Sequence, residues 1–171
     1  MSGPLSHIRV LDLSRIMAGP WASQVLADLG ADVIKVERRG VGDDTRTWGP
    51  PYLKDADGND TNESGYFLSV NRGKRSIEID LSSEADREIV RSLAATSDIV
   101  LENFKSGTLE RYGLGYEDLK AINPQLIFCS ITGFGADGPR TGQVAYDFMI
   151  QAMGGLMSVT GAPDGEPGGG P

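Results

Sequence analysis

The sequence predicts an α/β fold in which helices cover both faces of a mostly parallel sheet. Short apolar segments alternate with segments of helical periodicity along most of the 171 residues, and parallel strands need such crossover helices between them. Some apolar segments are hydrophobic throughout, which is typical of strands buried on both faces. No internal repeat and no obvious domain linker interrupts the pattern.

The order strand, helix, strand is clearest near the N-terminus. Residues 8–13 form an apolar run that predicts a strand. Pro20 suits the first turn of a helix and Gly30 suits a helix end, so we expect a helix over residues 20–29. β-branched residues within 32–37 predict the second strand. This order is the βαβ unit found in nucleotide-binding folds.

The next segment differs in composition. Residues 40–64 are rich in Gly, Pro, Asp and Asn without any period, and we predict one long loop, a kind of segment that is often functional. Residues 66–71 fit either a short strand or a helical turn, and residues 76–81 alternate as a half-exposed strand does. At the other end, residues 161–171 hold five glycines and three prolines and predict a loop.

Helices and strands continue to alternate in the second half. Ser83 opens a Ser-x-x-Asp capping signal, which predicts the start of a helix. We expect the single cysteine, Cys129, to be buried in a strand. The remaining predicted elements are strands over 98–103 and 126–132, short helices over 108–113 and 116–123, and a helix over 144–157.

Composition and charge exclude several functional classes. A net charge of −8 argues against a general nucleic-acid-binding protein. No apolar run approaches the roughly 18 residues that a membrane span needs, and the N-terminus lacks the pattern of a signal peptide. One cysteine cannot form an internal disulfide, which favours a reducing compartment. We therefore expect a cytoplasmic protein that needs no membrane, and no residues have the spacing of metal ligands.

The basic residues are nevertheless clustered. One interpretation is that the clusters bind a compact polyanion. The alternative is a set of solvated surface charges. The three clusters are Arg38 with Arg39, Arg72 with Lys74 and Arg75, and Lys105 with Arg111.

The turn after the first strand lacks the glycine fingerprint of dinucleotide sites. Only Gly19 is available there, and Pro20 has no amide to donate. Glu37 stands where an acid that binds ribose could stand, but two arginines follow it and favour a phosphate-rich partner. A nicotinamide site is therefore disfavoured, and a βαβ scaffold that places strand-end residues at a crevice is the default.

Two further residues each have a functional and a structural interpretation, and a third, the sole histidine, has no predicted role. Phe104, which follows Asn103 at a strand end, either contacts a ligand ring or caps the core. Asp147 lies in an apolar helical segment, so it is either exposed at a helix start or held in a site. The sole histidine, His7, has no plausible partner, which argues against serine–histidine or cysteine–histidine catalysis.

Together the segments closely resemble the class III CoA-transferases, relatives of formyl-CoA transferase and carnitine CoA-transferase. The resemblance spans nearly the whole chain in order and includes "VLDLSRIMAGPWASQVLADLGADVIKVERRG", "NRGKRSIEIDL", "ENFKSGTLERYG" and "AYDFMIQAMGGLMSVTG". The stretches "GDDTRTWGPP" and "FCSITG" most resemble the subgroup that moves CoA between succinyl-CoA and small dicarboxylates.

The resemblance implies a Rossmann-like domain that binds coenzyme A. By position, Ile16 and Met17 would border the pantetheine arm and the thioester, and Arg38 would contact the adenine end. Met17 departs from formyl-CoA transferase, which has glutamine there, so oxalate or formyl specificity is not implied. The other implied CoA-binding residues are Ile79, Asp80, Leu81, Ser82, Asn103, Phe104, Arg111 and Tyr146.

The family's chemistry runs through an aspartate that attacks the acyl-CoA thioester, with a mixed anhydride and then an enzyme thioester as intermediates. No residue of this chain matches that nucleophile, which normally follows shortly after a loop like 165–171, and Asp147 matches only a supporting acid. Residues 1–171 would then be the N-terminal part of a large CoA-binding domain, inactive alone, from a protein that forms an interlocked homodimer.

Three alternatives stay open at this point. The chain could belong to a CoA-binding module without catalysis or to a nicotinamide-dependent oxidoreductase. The related α-methylacyl-CoA racemases use a histidine where Tyr146 stands, so racemase activity is disfavoured.

Overall fold

A computed structural model of the chain describes residues 3–162. The chain divides into two compact units, Met1–Ile131 and Thr132–Pro171. The predicted loop over 161–171 falls almost wholly outside the described residues.

Over residues 3–131, the described part of the first unit, the chain forms seven strands and four α-helices. Its elements in chain order are β1 (Arg9–Asp12), α1 (Ala18–Asp28), β2 (Asp32–Arg38), β3 (Tyr52–Lys54), β4 (Asp60–Ser64), α2 (Gly65–Asn71), β5 (Arg75–Ile79), α3 (Glu84–Ala94), β6 (Ile99–Glu102), α4 (Tyr116–Ile122) and β7 (Ile127–Ser130). Short 3₁₀ helices cover Asp44–Thr47 and Glu110–Tyr112.

Five of these strands form one sheet in the order β5-β2-β1-β6-β7, and every pair in it is parallel. The register pairs Leu11 with Ile34 on one side and with Val100 on the other. The order reverses between β1 and β6, which makes the carboxyl ends of the central strands the usual position of a ligand crevice. The predicted α/β class with a mostly parallel sheet is confirmed.

Both faces of the sheet are buried, because successive side chains of a strand point to opposite faces. Val10 packs with Val33 and with Leu26 of α1. Leu11, the next residue of β1, belongs to a larger core on the other face, which includes Val90 of α3. Helices therefore cover both faces, as the uninterrupted apolar runs predict.

Two serines begin helices of the first unit. The Ser83 side chain accepts a hydrogen bond from the backbone N–H of Asp86, as the capping signal predicts. Ser64 caps α2 in the same way by accepting from Phe67 N at 2.9 Å, and this settles residues 66–71 as helix. A side-chain oxygen at this position satisfies one of the backbone N–H groups that a helix leaves unpaired.

The prediction of one loop over residues 40–64 is wrong in part. The segment contains a 3₁₀ turn and an antiparallel hairpin formed by β3 and β4, whose register shifts between Tyr52 and Lys54. Asp55 closes the hairpin by accepting from Asn59 N at 2.8 Å. The irregular register and the polar composition hide the alternation that normally marks a hairpin.

Two smaller expectations also need correction. Cys129 does lie in β7, but it is only half-buried because β7 is an edge strand of the sheet. In the second unit, the helix expected over 144–157 is the shorter α5 (Asp147–Met153), followed by a 3₁₀ turn at Leu156–Ser158. Gly154 and Gly155 separate the two, and Gly155 has a φ of +80° that does not continue an α-helix.

Within residues 3–162, no helix combines the length and the apolar character that a membrane crossing requires.

Candidate functional site

A cleft of about 560 Å³ lies at the carboxyl ends of the central strands. Val36 and Arg38 of β2 and Ile79 of β5 line it, together with Leu13 and Phe104 just beyond β1 and β6. This position, next to the point where strand order reverses, is where doubly wound sheets bind ligands.

The walls of the cleft combine two chemistries. One part is aliphatic and aromatic, and the other carries three guanidinium groups beside the carboxylates of Glu37, Asp43 and Asp80, each of which accepts hydrogen bonds from the protein itself. Such a combination suits a ligand with a flat apolar ring and several anionic groups. The apolar contributors are Leu13, Val36, Ile79, Leu81, Phe104 and Tyr112, and the arginines are Arg15, Arg38 and Arg39.

The turn from β1 to α1 has no backbone donor left over between residues 14 and 16. Three successive N–H groups are taken by side chains that come from three different parts of the sheet edge. Ser14 N donates to Asp12 Oδ1 at 2.9 Å, Arg15 N to Asn103 Oδ1 at 2.8 Å, and Ile16 N to Asp43 Oδ2 at 3.2 Å. A pyrophosphate site of the dinucleotide type needs free backbone amides, and these three amides are not free to serve one.

Gly19 has a packing role instead of a phosphate-binding role. A Cβ on Gly19 would overlap the side chain of Ser14 and come within 2.9 Å of Leu101 Cδ2. The glycine therefore allows α1 to approach the sheet closely at its first turn.

Ile16 is the only non-glycine residue with a positive φ, +66°, in the described part of the chain. A β-branched residue rarely adopts this left-handed conformation, since its side chain crowds the backbone there. Met17 follows as the N-cap of α1, and its sulfur lies 3.7 Å from the hydroxyl of Tyr66. Tyr66 packs edge-on against Trp48, with 5.1 Å between ring centres.

Two ion pairs are buried beneath this turn. Lys35 Nζ lies 2.9 Å from Asp43 Oδ2, and Lys74 Nζ lies 3.1 Å from Asp12 Oδ2. Both lysine side chains are only 2% exposed. Burial lowers the pKa of Lys74 from 10.5 to about 8, although Asp12 opposes the shift.

The second predicted cluster of cations is consequently not a joint anion site. Lys74 is buried and committed to Asp12, while Arg72 pairs with Asp28 at 2.6 Å and Arg75 with Asp32 at 2.6 Å. Each of the three side chains serves an ion pair of its own. In the third cluster, Arg111 is exposed and does not line the cleft.

Glu37 is also unavailable as an acid that binds ribose. Its carboxylate accepts from Arg46 Nε at 2.7 Å, from Ser76 Oγ at 2.6 Å and from Asp43 N at 2.9 Å. Burial alone would raise the pKa of Glu37, but the hydrogen bonds from Arg46 and Ser76 outweigh it, so the pKa is lowered. Glu37 therefore organises the edge of the cleft as a buried anion.

A single buried carboxylate organises the opposite rim. Asp86 accepts from Asp80 N at 2.6 Å and pairs with the Arg39 guanidinium at 2.7 Å. Asp80 in turn accepts from the backbone N–H and the hydroxyl of Ser82 at 2.9 and 2.7 Å. These hydrogen bonds fix the turn over 79–82, and the ion pair with Asp86 holds Arg39 beside that turn.

Phe104 packs against the larger core, as one of its two interpretations predicts, and its contact with a ligand ring stays a prediction. It also lines the cleft. Its N–H donates to Glu102 Oε2 at 2.7 Å, and the Arg15 guanidinium lies 5.4 Å from its ring centre. Burial raises the pKa of Glu102, and a hydrogen bond from Ser130 opposes this only in part.

Six of the predicted ligand contacts line the cleft, and the others do not. Those that line it are Arg38, Ile79, Asp80, Leu81, Ser82 and Phe104. Ile16 and Met17 lie in the β1–α1 turn, and Asn103 acts on the backbone of Arg15. Arg39, named with Arg38 as a basic cluster in the sequence, also lines the cleft, whereas sequence reasoning missed Arg15, Thr108 and Tyr112.

Tyr146 and Asp147 belong to the second unit. Tyr146 is the N-cap of α5 and is 74% exposed. Asp147 is the first residue of α5, is exposed, and accepts a hydrogen bond from Gln151 Nε2 at 2.5 Å. This is the helix-start arrangement, and the predicted roles of both residues remain predictions.

In the part of the chain that the structure describes, no three His, Cys, Asp or Glu side chains are grouped so that they could hold a metal ion.

The sheet order and the arginine-lined cleft define a doubly wound ligand-binding domain without a dinucleotide turn. The chain belongs to CoA-transferase family III, whose family model matches residues 5–169.

Relatives with high sequence identity support this family assignment, although their chains are longer than this one. The chain is 55% identical over 164 residues to succinate–glutarate CoA-transferase of Agrobacterium fabrum, covering 96% of this chain and 41% of the relative. It is 50% identical over 169 residues to succinyl-CoA:mesaconate CoA-transferase of Haloarcula hispanica, covering 96% and 42%. The chain thus spans about two fifths of the length of these relatives.

Solved structures agree with the fold. A CAIB/BAIF family protein from Brucella suis superimposes with a TM-score of 0.90 at 58% identity, covering 98% of this chain and 43% of that one. A hypothetical protein from Mycobacterium tuberculosis superimposes with a TM-score of 0.81 at 41% identity, covering 96% and 42%.

Proposed function

We propose that the protein is a CoA-transferase that moves CoA from an acyl-CoA, succinyl-CoA or a similar donor, to a small carboxylic acid. The observation that carries the proposal is the cleft, where apolar walls and three arginines meet at the carboxyl ends of parallel strands. The flat faces of an adenine ring stack on apolar and aromatic side chains, and the phosphates of CoA carry negative charge that guanidinium groups bind well. Membership of CoA-transferase family III supports the same ligand.

The proposal assigns each part of CoA to residues of the chain. Arg38 contacts the adenine end, and Ile16 with Met17 borders the pantetheine arm and the thioester. Asn103 contributes indirectly, since both ends of its amide bind the backbone of Arg15. The remaining proposed CoA contacts are Ile79, Asp80, Leu81, Ser82, Phe104, Arg111 and Tyr146, to which the cleft adds Arg15 and Arg39.

The proposed reaction passes through covalent intermediates on an aspartate. Its carboxylate attacks the thioester carbonyl, which forms a mixed anhydride and releases the CoA thiolate. That thiolate attacks the aspartyl carbonyl, which gives an enzyme thioester and frees the donor acid. The acceptor carboxylate then attacks the aspartyl thioester, which forms a second mixed anhydride and releases the CoA thiolate. That thiolate attacks the acceptor's carbonyl carbon in the anhydride, which gives the acceptor's CoA thioester and frees the aspartate carboxylate. No residue of this chain is assigned as the nucleophile, and Asp147 is proposed only as a supporting acid.

Several properties of the whole protein belong to the same proposal. The names of the relatives favour a succinyl donor and a small dicarboxylate acceptor. We propose an interlocked homodimer of full-length chains in the cytoplasm. CoA thioesters serve as substrates in it, and no metal takes part.

Binding is tested by titrating CoA into the full-length protein in a calorimeter. Arg38→Ala is expected to weaken CoA binding about 10-fold or more, because a charge-assisted contact is lost. Arg72→Ala is the matched control, since Arg72 is an exposed arginine that pairs with Asp28 and does not line the cleft. Equal affinity in the native protein and both variants would contradict the assignment of Arg38.

Transfer is tested with succinyl-CoA and a panel of acceptors such as glutarate, mesaconate and oxalate. Formation of the acceptor's CoA thioester, together with an enzyme thioester trapped by hydroxylamine or borohydride, is the expected result. CoA binding without transfer to any acid would favour the non-catalytic binding module. Binding of NAD(P) but not CoA would favour the oxidoreductase, against which the occupied amides of residues 14–16 argue.

A further inference from the structure

The Asp43 carboxylate joins the β1–α1 turn to the interior of the sheet. It is 2% exposed and accepts from Ile16 N at 3.2 Å and from Thr45 Oγ1 at 2.7 Å. Lys35 Nζ lies 2.9 Å from it and compensates its charge. Burial alone would raise the pKa of Asp43, but the nearby Lys35 ammonium outweighs it and the pKa is lowered. The group is therefore a buried, charged acceptor for two backbone N–H groups, that of Ile16 and that of Thr45 at 3.0 Å.

The first of these N–H groups belongs to the residue with the unfavourable backbone conformation. Ile16 has a φ of +66°, and a non-glycine residue stays in this region only where its surroundings hold it. Lys35 also holds the preceding peptide group, because its ammonium donates to the carbonyl oxygen of Ser14 at 3.0 Å. One buried ion pair thus fixes the turn at two successive peptide groups.

The conformation of Ile16 decides where the following residue lies. Met17 comes next as the N-cap of α1 and places its sulfur 3.7 Å from the Tyr66 hydroxyl. If Ile16 returned to an ordinary negative φ, the chain would leave the turn in another direction and Met17 would lose this position.

We propose that Asp43 is a positioning residue: paired with Lys35, it holds Ile16 in the left-handed conformation and so fixes Ile16 and Met17 beside the acyl end of bound CoA thioester. The inference rests on the proposed function, which places these two residues at the thioester. Asp43 touches no reacting atom in this role. It acts through the backbone of Ile16.

The test compares two ways of removing the ion pair in the full-length protein. Lys35→Met with Asp43→Ala removes both charges and the acceptor for Ile16 N. Lys35→Met with Asp43→Asn removes the same charges but keeps an oxygen that can accept from Ile16 N, and is the matched control. Neither leaves a buried charge without a partner.

We expect the alanine pair to lower kcat for succinyl-CoA and glutarate on the order of 100-fold, because a displacement of about 1 Å near the reacting centre has such an effect. KM for succinyl-CoA changes less, and the asparagine pair keeps most of the activity. Equal losses of kcat in the two pairs would overturn the proposal, since the charges alone would then account for the effect.

A second readout depends on Ile16 itself. Glycine adopts a positive φ without being held, so the loss of kcat caused by the alanine pair should be several-fold smaller in the Ile16→Gly background. If the alanine pair lowers kcat by the same factor with Ile16 and with Gly at position 16, the proposal is overturned. If the alanine pair does not fold, Lys35→Met with Asp43→Leu, which likewise has no acceptor for Ile16 N, takes its place in the same comparison, and the same outcomes apply.

Urea unfolding of the same proteins separates this inference from the proposed function. If the native protein transfers CoA to no acid, the proposed function fails, and the unfolding free energies then judge whether Asp43 holds Ile16. Non-additive changes between Ile16→Gly and the alanine pair support it, and additive changes overturn it. Val90→Ala, a core truncation in α3, is the control. The changes in unfolding free energy caused by Val90→Ala and by Ile16→Gly should be additive.

Discussion

Asn103 binds the backbone of Arg15 with both ends of its side-chain amide. Oδ1 accepts from Arg15 N and Nδ2 donates to Arg15 O, each at 2.8 Å. The end of β6 is thereby tied to the turn after β1, although 88 residues separate the two in sequence. Arg15, which lines the cleft, is fixed at its backbone while its side chain lies beside Phe104.

The first prediction is that Asn103→Ala weakens CoA binding about 10-fold, because two hydrogen bonds that fix Arg15 are lost. Calorimetric titration of the full-length protein measures the change. Asn123→Ala is the matched control, since Asn123 similarly donates to two backbone carbonyls, those of Ala94 and Ser97, at 3.2 and 2.8 Å. It should lower stability without changing CoA affinity. If the two variants bind CoA equally, Asn103 has no part in shaping the cleft.

The second prediction is that Gly19→Ala destabilises the protein by about 1–3 kcal/mol, the usual range for overpacking. Alanine normally favours a helix over glycine, but here its Cβ would overlap Ser14 and crowd Leu101. Urea unfolding measures the change. Gly142→Ala is the control, because nothing lies within 4 Å of the added Cβ there. A Gly19→Ala protein as stable as the control would contradict the close approach of α1.

The third prediction concerns the buried pair of Lys74 and Asp12. The pKa of Lys74 is lowered by burial from 10.5 to about 8, so between these values the unfolded chain binds more protons than the folded one. Stability therefore rises with pH through this window, by about 2 kcal/mol near pH 9.5. The measurement is urea unfolding at pH 7 and 9.5, relative to Asp12→Asn with Lys74→Met. A constant difference between the two proteins at both pH values would refute the buried ammonium.

The fourth prediction concerns Glu102, whose pKa is raised by burial above 4.5. The folded chain then holds this proton more tightly than the unfolded one, so the stability it contributes at low pH is lost as pH rises through the raised pKa. Glu102→Gln keeps an acceptor for Phe104 N and removes the charge. The unfolding free energy of the variant, relative to that of the native protein, should increase as the pH rises above 4.5. Loss of stability in the variant at neutral pH would show that the charge is needed.

The sequence was sufficient for features that depend on nearby residues. Uninterrupted apolar runs predict the strands of the parallel sheet, and Ser83 predicts the start of α3 from a signal four residues long. Helix and strand periodicity arises from contacts within a few residues, so it is visible in one dimension. The family resemblance, carried by quoted motifs, is confirmed by the match over residues 5–169.

Features that depend on distant partners could not be predicted in this way. Lys74 stands among exposed cations in sequence, yet its partner Asp12 is 62 residues away and turns it into a buried ion. Arg15 carries no motif, and its backbone beside the cleft is held by Asn103, which is 88 residues away in sequence. The hairpin over 52–64 could not be predicted, because its polar strands bury few side chains and its register is irregular.

The occupied amides of residues 14–16 limit how this scaffold can be redesigned. Grafting a glycine-rich loop between β1 and α1 would not by itself give a pyrophosphate cradle, because Asp12, Asn103 and Asp43 would still point oxygen atoms at the place where phosphate must sit. Two of those three groups are carboxylates that would repel it. An engineer seeking a nicotinamide enzyme would have to replace all three acceptors, together with the buried lysines that pair with the two aspartates. Such a change amounts to rebuilding the centre of the sheet edge.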